Sequence, residues 1–382
     1  MLGPTFGMGE LFCCWIVSGV WGMTIALRGS GVSQRERSSH HLVRLRQRIE
    51  IALLDLVHGR KRPALLEFPA YDNVGDSAIW LGEIAFLADR LHVAPAHTSD
   101  TFSYSRERLA AVRDLDLILL SGGGNLGDLF KGFLEAKIRV LEDFPQVPIV
   151  QLPQTIHFRD PARLDMFRRA VARHRRFTLI ARDRICFDMA RETFDCDVRL
   201  CPDMALWLEL PRPAPPVRDV ACLLRSDVAI NQSYLRDGRT VGEDMLVFDW
   251  SAAESGRFAV EAERALTRAM GLYPRKLAAL ESSLTLFRNR AAWSRVRRGC
   301  ALLSSARVVV TDRLHGHILC TLMGIPHVIL DNNYGKVTRF HESWTKDFPT
   351  VRLARSVDEA LDTARAWLAE LPSPGLAQTS RS

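Results

Sequence analysis

The sequence predicts an α/β protein made of two doubly wound halves with a cleft between them. Three observations carry that reading. From residue 63 onward, short apolar runs alternate with amphipathic stretches, the pattern of a parallel sheet covered by helices on both faces. The alternation breaks at "LPRPAPPVRD" (210–219), where prolines at 211, 213, 215 and 216 can continue neither a helix nor a central strand. It then resumes and runs to about residue 371. The chain of 382 residues is long enough for two ordinary domains, each with its own core.

Taken in order, "PALLEFPA" (63–70), "DLDLILLSG" (114–122), "VPIVQLPQ" (147–154), "FTLIARD" (177–183) and "DVRLCPD" (197–203) read as strands, with one less distinct strand near residue 93. "DSAIWLGEIAFLADRL", "LEAKIRVLEDF" and "ARLDMFRRAVARH" carry helical periodicity between them. The second series has strands at "VACLLRSD" (220–227), "DMLVFDW" (244–250), "RVVVTD" (307–312), "PHVILD" (326–331) and "TVRLA" (350–354). Helices lie up to about residue 305, through "HGHILCTLMG", and at the end, where Ser356 and Glu359 fit a capping box. The expected organisation is an extension over 1–58, a Rossmann-like domain over 60–210, a linker over 211–218, a second Rossmann-like domain over 219–371 and a disordered tail over 372–382.

A net charge of +7, from 51 Lys plus Arg against 44 Asp plus Glu, favours anionic partners such as phosphates, carboxylates, acidic glycans or a membrane surface. No nucleic-acid motif or aromatic interleaving accompanies the charge, so nucleic acid is not expected. The arginines at 163, 168, 169, 173, 175 and 176 read as a solvated helix face or as a contact for anionic lipid or a lipid-linked diphosphate. The 8 cysteines form no CxxC pair, and Cys186, Cys222 and Cys320 sit in apolar surroundings. They read as buried free thiols of a reducing compartment.

Residues 11–27, "LFCCWIVSGVWGMTIAL", form an apolar run at the lower limit for spanning a bilayer. Arg28, Arg35 and Arg37 follow it, which by the positive-inside rule would place the body in the cytoplasm, at the inner face of the membrane. The competing expectation is a dispensable tail ahead of the true start.

Ligands of doubly wound sheets bind beyond the carboxyl ends of the strands, so the residues there are the candidates. After the first strand, "YDNVGDSAIW" offers Asn73, a tight turn at Gly75, and Asp76 or Ser77 as a helix cap. "SGGGNLGD" (121–128) reads as a loop, with Gly123, Gly124 and Asn125 lining a ligand or meeting a crossing helix. Arg182 and Asp203 recur at the same edge. The densest cluster is "VVVTDRLHGHILCTLMGIP": Arg313, Leu314, His315 and Gly316 join an anion-gripping guanidinium, a proton donor and a helix start. Zinc held by His315 and His317 is the metal alternative; no third ligand has suitable spacing, so no metal is assigned. Lys336 either adds charge to this pocket or stays solvated. Arg225 and Asp227 stand at another strand end.

Together, "YDNVGDSAIWLGE", "LILLSGGGNLGD", "LPQTIHF", "ARDR", "CPDMA" and "TDRLHGHILCTLMGIPHVILDNNYGK" resemble the polysaccharide pyruvyl transferases, the bacterial exopolysaccharide members above all, over about residues 60–350. The resemblance implies a GT-B-like pair of Rossmann-like domains. It implies transfer of pyruvate from phosphoenolpyruvate, as donor substrate and with no cofactor, onto two hydroxyls of one sugar of a glycan or lipid-linked oligosaccharide. With that chemistry, Arg313, the helix start and Arg182 would grip the donor. His315 would act as general acid, in the protonated form that phosphate favours, and Asp76 or Asp203 as base. The rivals are a GT-B glycosyltransferase using a nucleotide sugar and a non-catalytic, membrane-tethered component of polysaccharide assembly.

Overall fold

The structure, a computed structural model, describes residues 34–210, 215–225, 245–250, 265, 280–331 and 335–371. The apolar run 11–27, Pro211 and Pro213 of the linker, Asp227 and the tail 372–382 lie outside the described residues. Among those described, no helix is long and apolar enough to cross a membrane.

Two parallel sheets form the body. The first contains β1 (Pro63–Phe68), β2 (His97–Asp100), β3 (Leu117–Leu120), β4 (Gly123–Gly127), β5 (Ile149–His157), β6 (Phe177–Ala181) and β7 (Asp197–Leu200). Its order is β2-β1-β3-β5-β6-β7, with β4 paired to the far half of β5. The second contains β8 (Arg218–Leu223), β9 (Met245–Phe248), β10 (Ala306–Thr311), β11 (His327–Ile329) and β12 (Val351–Leu353), in the order β12-β11-β10-β8-β9. The less distinct strand expected near residue 93 is β2. The helices of the first series are α1 (Gln34–Val57), α2 (Val74–Leu91), α3 (Arg106–Ala110), α4 (Phe133–Asp143), α5 (Pro161–Arg173) and α6 (Arg184–Thr193). Those of the second are α7 (Glu281–Ser304), α8 (Leu314–Met323), α9 (Lys336–Phe340) and α10 (Val357–Glu370).

Three findings depart from the sequence reading. First, the segment taken as an extension contains α1, whose Leu45, Ile49, Leu53 and Val57 are buried in the same core as Leu81, Phe86 and Trp207. Arg46 of α1 donates to the carbonyls of Leu206 and Leu208 at 3.2 and 2.8 Å, fixing the helix on the first half. Second, "SGGGNLGD" is not a loop, because Gly123–Gly127 forms β4. Its glycines answer to backbone packing: a Cβ on Gly127, at φ +143°, would stand 1.7 Å from the His157 carbonyl oxygen, which only a hydrogen avoids. Third, α7 lies beyond the proline stretch in sequence but packs on the first half. Trp80 Nε1 donates to Asn289 Oδ1 at 2.8 Å, Arg108 pairs with Glu281 at 2.7 Å and Arg298 with Asp72 at 2.7 Å. Leu284, Arg288, Ala292, Val296 and Cys300, spaced by four, form its buried stripe. Arg288 is fully buried because it donates to the Thr98 carbonyl at 2.6 Å and lies over the Phe68 ring.

Half of the expected capping box forms at Ser356, whose hydroxyl accepts from Glu359 N at 3.1 Å, while the Glu359 carboxylate accepts from Arg355 N at 2.9 Å. At α2 the cap is Asn73, and neither Asp76 nor Ser77: its side chain accepts from Gly75 N at 2.8 Å and Asp76 N at 3.3 Å. Arg168 and Arg169 of α5 both pair with Asp165 on an exposed face. Cys186, Cys222 and Cys320 are free and buried.

Beneath β4 lies a buried acid. Glu83 of α2 accepts from Gly122 N at 2.7 Å, and Ser121 Oγ lies 2.8 Å from its other oxygen. Burial pushes this carboxyl from its ordinary 4.5 up to about 8, against those two hydrogen bonds. The folded protein therefore holds a proton that the unfolded chain releases near 4.5, so stability is full below that pH and falls as pH rises towards 8. Glutamine keeps both contacts and cannot ionise. Melting temperatures measured from pH 5 to 8 should decline less steeply in Glu83→Gln than in the wild type, by a few degrees at the upper end. Identical slopes would mean that the carboxyl is ionised throughout.

Candidate active site

Strands of both sheets end around one cavity of about 400 Å³. The first half contributes Asn73 and Asp76 from the start of α2, Gly124 and Asn125 from β4, and Arg182 after β6. The second contributes Arg225 after β8, Trp250 after β9, Arg313, Leu314 and His315 at the start of α8, and Lys336 at the start of α9. Of the residues singled out from sequence, Asn73, Asp76, Gly124, Asn125, Arg182, Arg313, Leu314, His315 and Lys336 line it.

The remaining four are near it but do not line it. Gly316 is buried against the second sheet, where a Cβ would stand 2.6 Å from Thr311 Oγ1 and 2.7 Å from Leu223. It serves helix–strand packing, so its assignment to substrate contact is corrected. Gly123, at φ +134°, faces Ile79 and Asp76. Gly75 faces His315: a Cβ there would stand 2.2 Å from Nδ1 of the imidazole. This glycine is what lets the ring of one half lie against the helix start of the other. Asp203 is buried beneath the cavity floor at 1% exposure.

Asp203 joins the two halves. Its Oδ2 accepts from Arg182 NH1 at 2.7 Å, and His315 Nε2 lies 3.4 Å from the same oxygen. The second contact is an ion-pair distance rather than an aligned hydrogen bond, and Nε2 has no hydrogen-bond partner of its own. Asp203 Oδ1 accepts from Ala205 N at 2.9 Å. Burial raises this carboxyl, but His315, Arg182 and the Ala205 amide together outweigh it and hold the group well below the usual carboxylate range. A carboxylate so stabilised is a poor proton acceptor. It is suited to hold two cationic groups in place, with His315 Nε2 turned inward and Nδ1 left on the Gly75 side.

Arg313 is held in the same way by Asp249, which accepts from NH2 through both carboxylate oxygens. Arg182 is fixed further by Thr155 Oγ1, at 2.8 Å from NH2 and 3.1 Å from Nε. Asp76 lines the cavity and accepts from the Tyr71 hydroxyl at 2.9 Å. Lys336 is not a solvated side chain. Burial, then the charges of Arg182 and Arg225, push its ammonium down to about 8. His317 has both ring nitrogens engaged away from His315, Nδ1 with His327 at 2.7 Å and Nε2 with Thr345 at 2.8 Å. The alternative that paired His315 with His317 does not fit this geometry, because the two rings occupy different environments.

Sequence reasoning missed Asp249, Gln154 and Asp312. Gln154 Nε2 donates to Asn125 Oδ1 at 2.7 Å and orients it towards the cavity. Burial pushes the Asp312 carboxyl up to about 6, against a bond from Arg225 N at 3.0 Å and the charges of Arg313 and Arg225. Asp249 was legible only as the carboxyl-terminal residue of a strand in "VFDW". The rule that picked out Arg182 and Asp203 applies to it equally.

A site of this kind, with arginines and a lysine converging on a helix start beside an imidazole, suits a small polyanion carrying phosphate and carboxylate. Comparison with known proteins agrees with the sequence motifs. A family model described as polysaccharide pyruvyl transferase matches residues 73–334. Pyruvyl transferase 1 of Schizosaccharomyces pombe is 32% identical over 337 residues, covering 81% of this chain and 77% of its own length. A crystal structure of a functionally uncharacterised protein from Klebsiella pneumoniae has the same fold, with a TM-score of 0.53 at 19% identity, over 82% of this chain and 99% of the other.

The Gly75 contact is open to test. Gly75→Ala adds only a methyl group, at a helical position, yet that methyl would occupy the place of the imidazole. Overpacking of this size costs about 1–3 kcal/mol unless the ring moves. We expect a folded protein in which the His315 ring resonances shift by NMR. An unmoved ring with unchanged stability would show that the contact is looser than described.

Proposed function

Because the chain belongs to the polysaccharide pyruvyl transferase family, and is therefore a transferase of polysaccharide biosynthesis, we propose that it transfers pyruvate from phosphoenolpyruvate onto two hydroxyls of one sugar. The product is a cyclic ketal on an exopolysaccharide or its lipid-linked repeat unit, with phosphate released. The observation that carries this reading is the joint placement of Arg182, Arg313, Lys336 and His315 around one cavity. Phosphoenolpyruvate presents a phosphate and a carboxylate a few bonds apart and needs two cationic grips. Arg313 with the α8 start supplies one, Arg182 with Lys336 the other. The two parallel sheets, with the cavity at their strand ends, support a GT-B-like arrangement.

The chemistry follows from the same groups. The His315 imidazole gives a proton to the methylene carbon, which becomes the methyl group, and the adjacent carbon takes on oxocarbenium character. One sugar hydroxyl adds to that carbon and loses its proton to Asp76. The carbon–oxygen bond to phosphate then breaks, and the second hydroxyl closes the ring, its proton leaving with phosphate. The proton on Asp76 replaces the one His315 spent. Between the two carboxylates considered as base, Asp76 is favoured because it lines the cavity, whereas Asp203 is buried and strongly acidified. Asp203 positions His315 and Arg182. The arginines stabilise the charge that develops on the departing phosphate.

Incubation with phosphoenolpyruvate should release phosphate only when a glycan acceptor is present, and the product should show a ketal methyl signal by proton NMR. Arg313→Ala and His315→Ala should fold and lose about 10²- to 10⁴-fold in turnover. Consumption of a nucleotide sugar without phosphoenolpyruvate would overturn the reading in favour of a glycosyltransferase.

Lys336 makes a separate prediction. An ammonium titrating near 8 is charged below that pH and neutral above it, so donor binding should weaken as pH rises through about 8. The KM for phosphoenolpyruvate should climb above pH 8 in the wild type and remain flatter in Lys336→Arg, whose guanidinium stays charged. A KM that does not change with pH in the wild type would remove Lys336 from the donor grip.

A further inference from the structure

The cationic wall accounts for only part of the cavity. Part of its lining is aromatic: Phe102, Phe130 and Phe133 border the same space. Phe102 is 72% exposed and Phe130 47% exposed, although both lie on ordered connections next to the site. Phe102 stands on a turn built by Asp100, whose Oδ1 accepts from Phe102 N at 2.8 Å and Ser103 N at 3.0 Å. Phe133 opens α4 and meets both other rings edge to face, at 5.7 Å from Phe102 and 6.3 Å from Phe130. Gly132 makes room for the cluster. At φ +86° it carries no side chain, and a Cβ there would come within 2.9 Å of the Phe102 ring. Exposed phenyl rings held in a fixed cluster over a polar cavity mark a binding surface.

We infer that this aromatic edge is the acceptor subsite, a stacking platform for the pyranose ring that receives pyruvate. The inference rests on the transfer reaction proposed above. A pyranose has a face of C–H groups and an edge of hydroxyls. The phenyl rings match the face. Asn73, Asp76 and Asn125, lining the same cavity, match the edge. The platform and the cationic wall belong to one space, so a sugar on the rings would present its hydroxyls to a donor held at Arg313 and Arg182. A lipid tail would need an apolar channel, and here carboxylate and amide side chains share the lining. The carbohydrate portion of the acceptor is therefore the occupant, and any lipid carrier extends away from it.

The test uses the full chain and oligosaccharides cut from the producing cell's own surface polysaccharide, freed of ketals by mild acid. Phe102→Ala and Phe130→Ala remove exposed rings. Each should raise the acceptor KM about tenfold, the size of a stacking contact, while the KM for phosphoenolpyruvate stays within twofold of wild type. Phe102→Tyr should restore the acceptor KM. Saturation-transfer NMR with the same oligosaccharides reads binding without turnover, and the signal should fall in both alanine variants. An unchanged acceptor KM and an unchanged NMR signal would overturn the subsite and leave the transfer reaction standing. Conversely, oligosaccharide binding that depends on the rings, with no consumption of phosphoenolpyruvate by the wild type, would overturn the reaction and leave the platform. Ring-dependent binding of uridine monophosphate or of a sugar-free polyprenyl phosphate, with none of the oligosaccharides, would also overturn the assignment to a sugar.

Discussion

The site depends on one buried carboxylate. Asp203 takes a short ion pair from Arg182 and a longer one from His315, and these two groups come from opposite sheets. An isolated carboxylate at that depth would be neutral or destabilising, because desolvation raises its free energy by several kcal/mol. His315, Arg182 and the Ala205 amide reverse the balance and keep it ionised. The consequence is mutual. Arg182 stays in a nearly dry position with its guanidinium aimed at the cavity, and the imidazole has one nitrogen turned inward. Removing the carboxylate would leave a buried guanidinium without its counterion, a loss larger than the net worth of the pair.

The same device recurs at Arg313, backed by Asp249. Both principal arginines of the cavity are thus gripped by a carboxylate beyond another strand of the same sheet. Such backing leaves Lys336, Arg225 and the α8 start as further positive groups around the same cavity. It gains geometry: a guanidinium held on one edge keeps its other donors fixed in direction. The clasp of α7 on the first half works towards the same end. Trp80, Arg108 and Asp72 all bond to it, so the helix that leads into β10 is fixed on the first half.

Much of this was readable beforehand because it follows from periodicity and position. Apolar runs placed the strands, and the rule that ligands lie at strand carboxyl ends found Asn73, Asp76, Arg182, Arg313 and His315 one by one. What escaped has a common cause: dependence on partners distant in sequence. β4 has neither β-branched residues nor alternation, and it is a strand because it pairs with β5, whose His157 carbonyl leaves no room for a side chain at Gly127. Asp249 lies 64 residues from Arg313, and nothing local distinguishes it from any strand-end acid. α1 was hidden by its neighbourhood, since the apolar run before it drew the reading towards an anchor. Gly316 misled for the opposite reason: its motif suggested ligand contact, whereas the second sheet already claims the space.

His315 and His317 show how far position decides chemistry. Two residues apart on α8, their side chains diverge by about 200° around the helix. His315 emerges between the sheets and lines the cavity, with Nε2 beside the Asp203 carboxylate and Nδ1 against Gly75. His317 turns into the second half, where burial first, and then the charges of His327 and His341, hold its imidazole well below the ordinary range. It stays neutral, bonded through both nitrogens to His327 and Thr345, and Thr345 also lies 3.1 Å from His341. That chain ties α8 to β11 and to the turn carrying Trp344, whose indole donates to the Arg182 carbonyl at 2.7 Å. The neutral histidine therefore does structural work on the helix whose first turn presents His315. A charge on His317 would disturb the framework that keeps His315 and Arg182 on the same cavity.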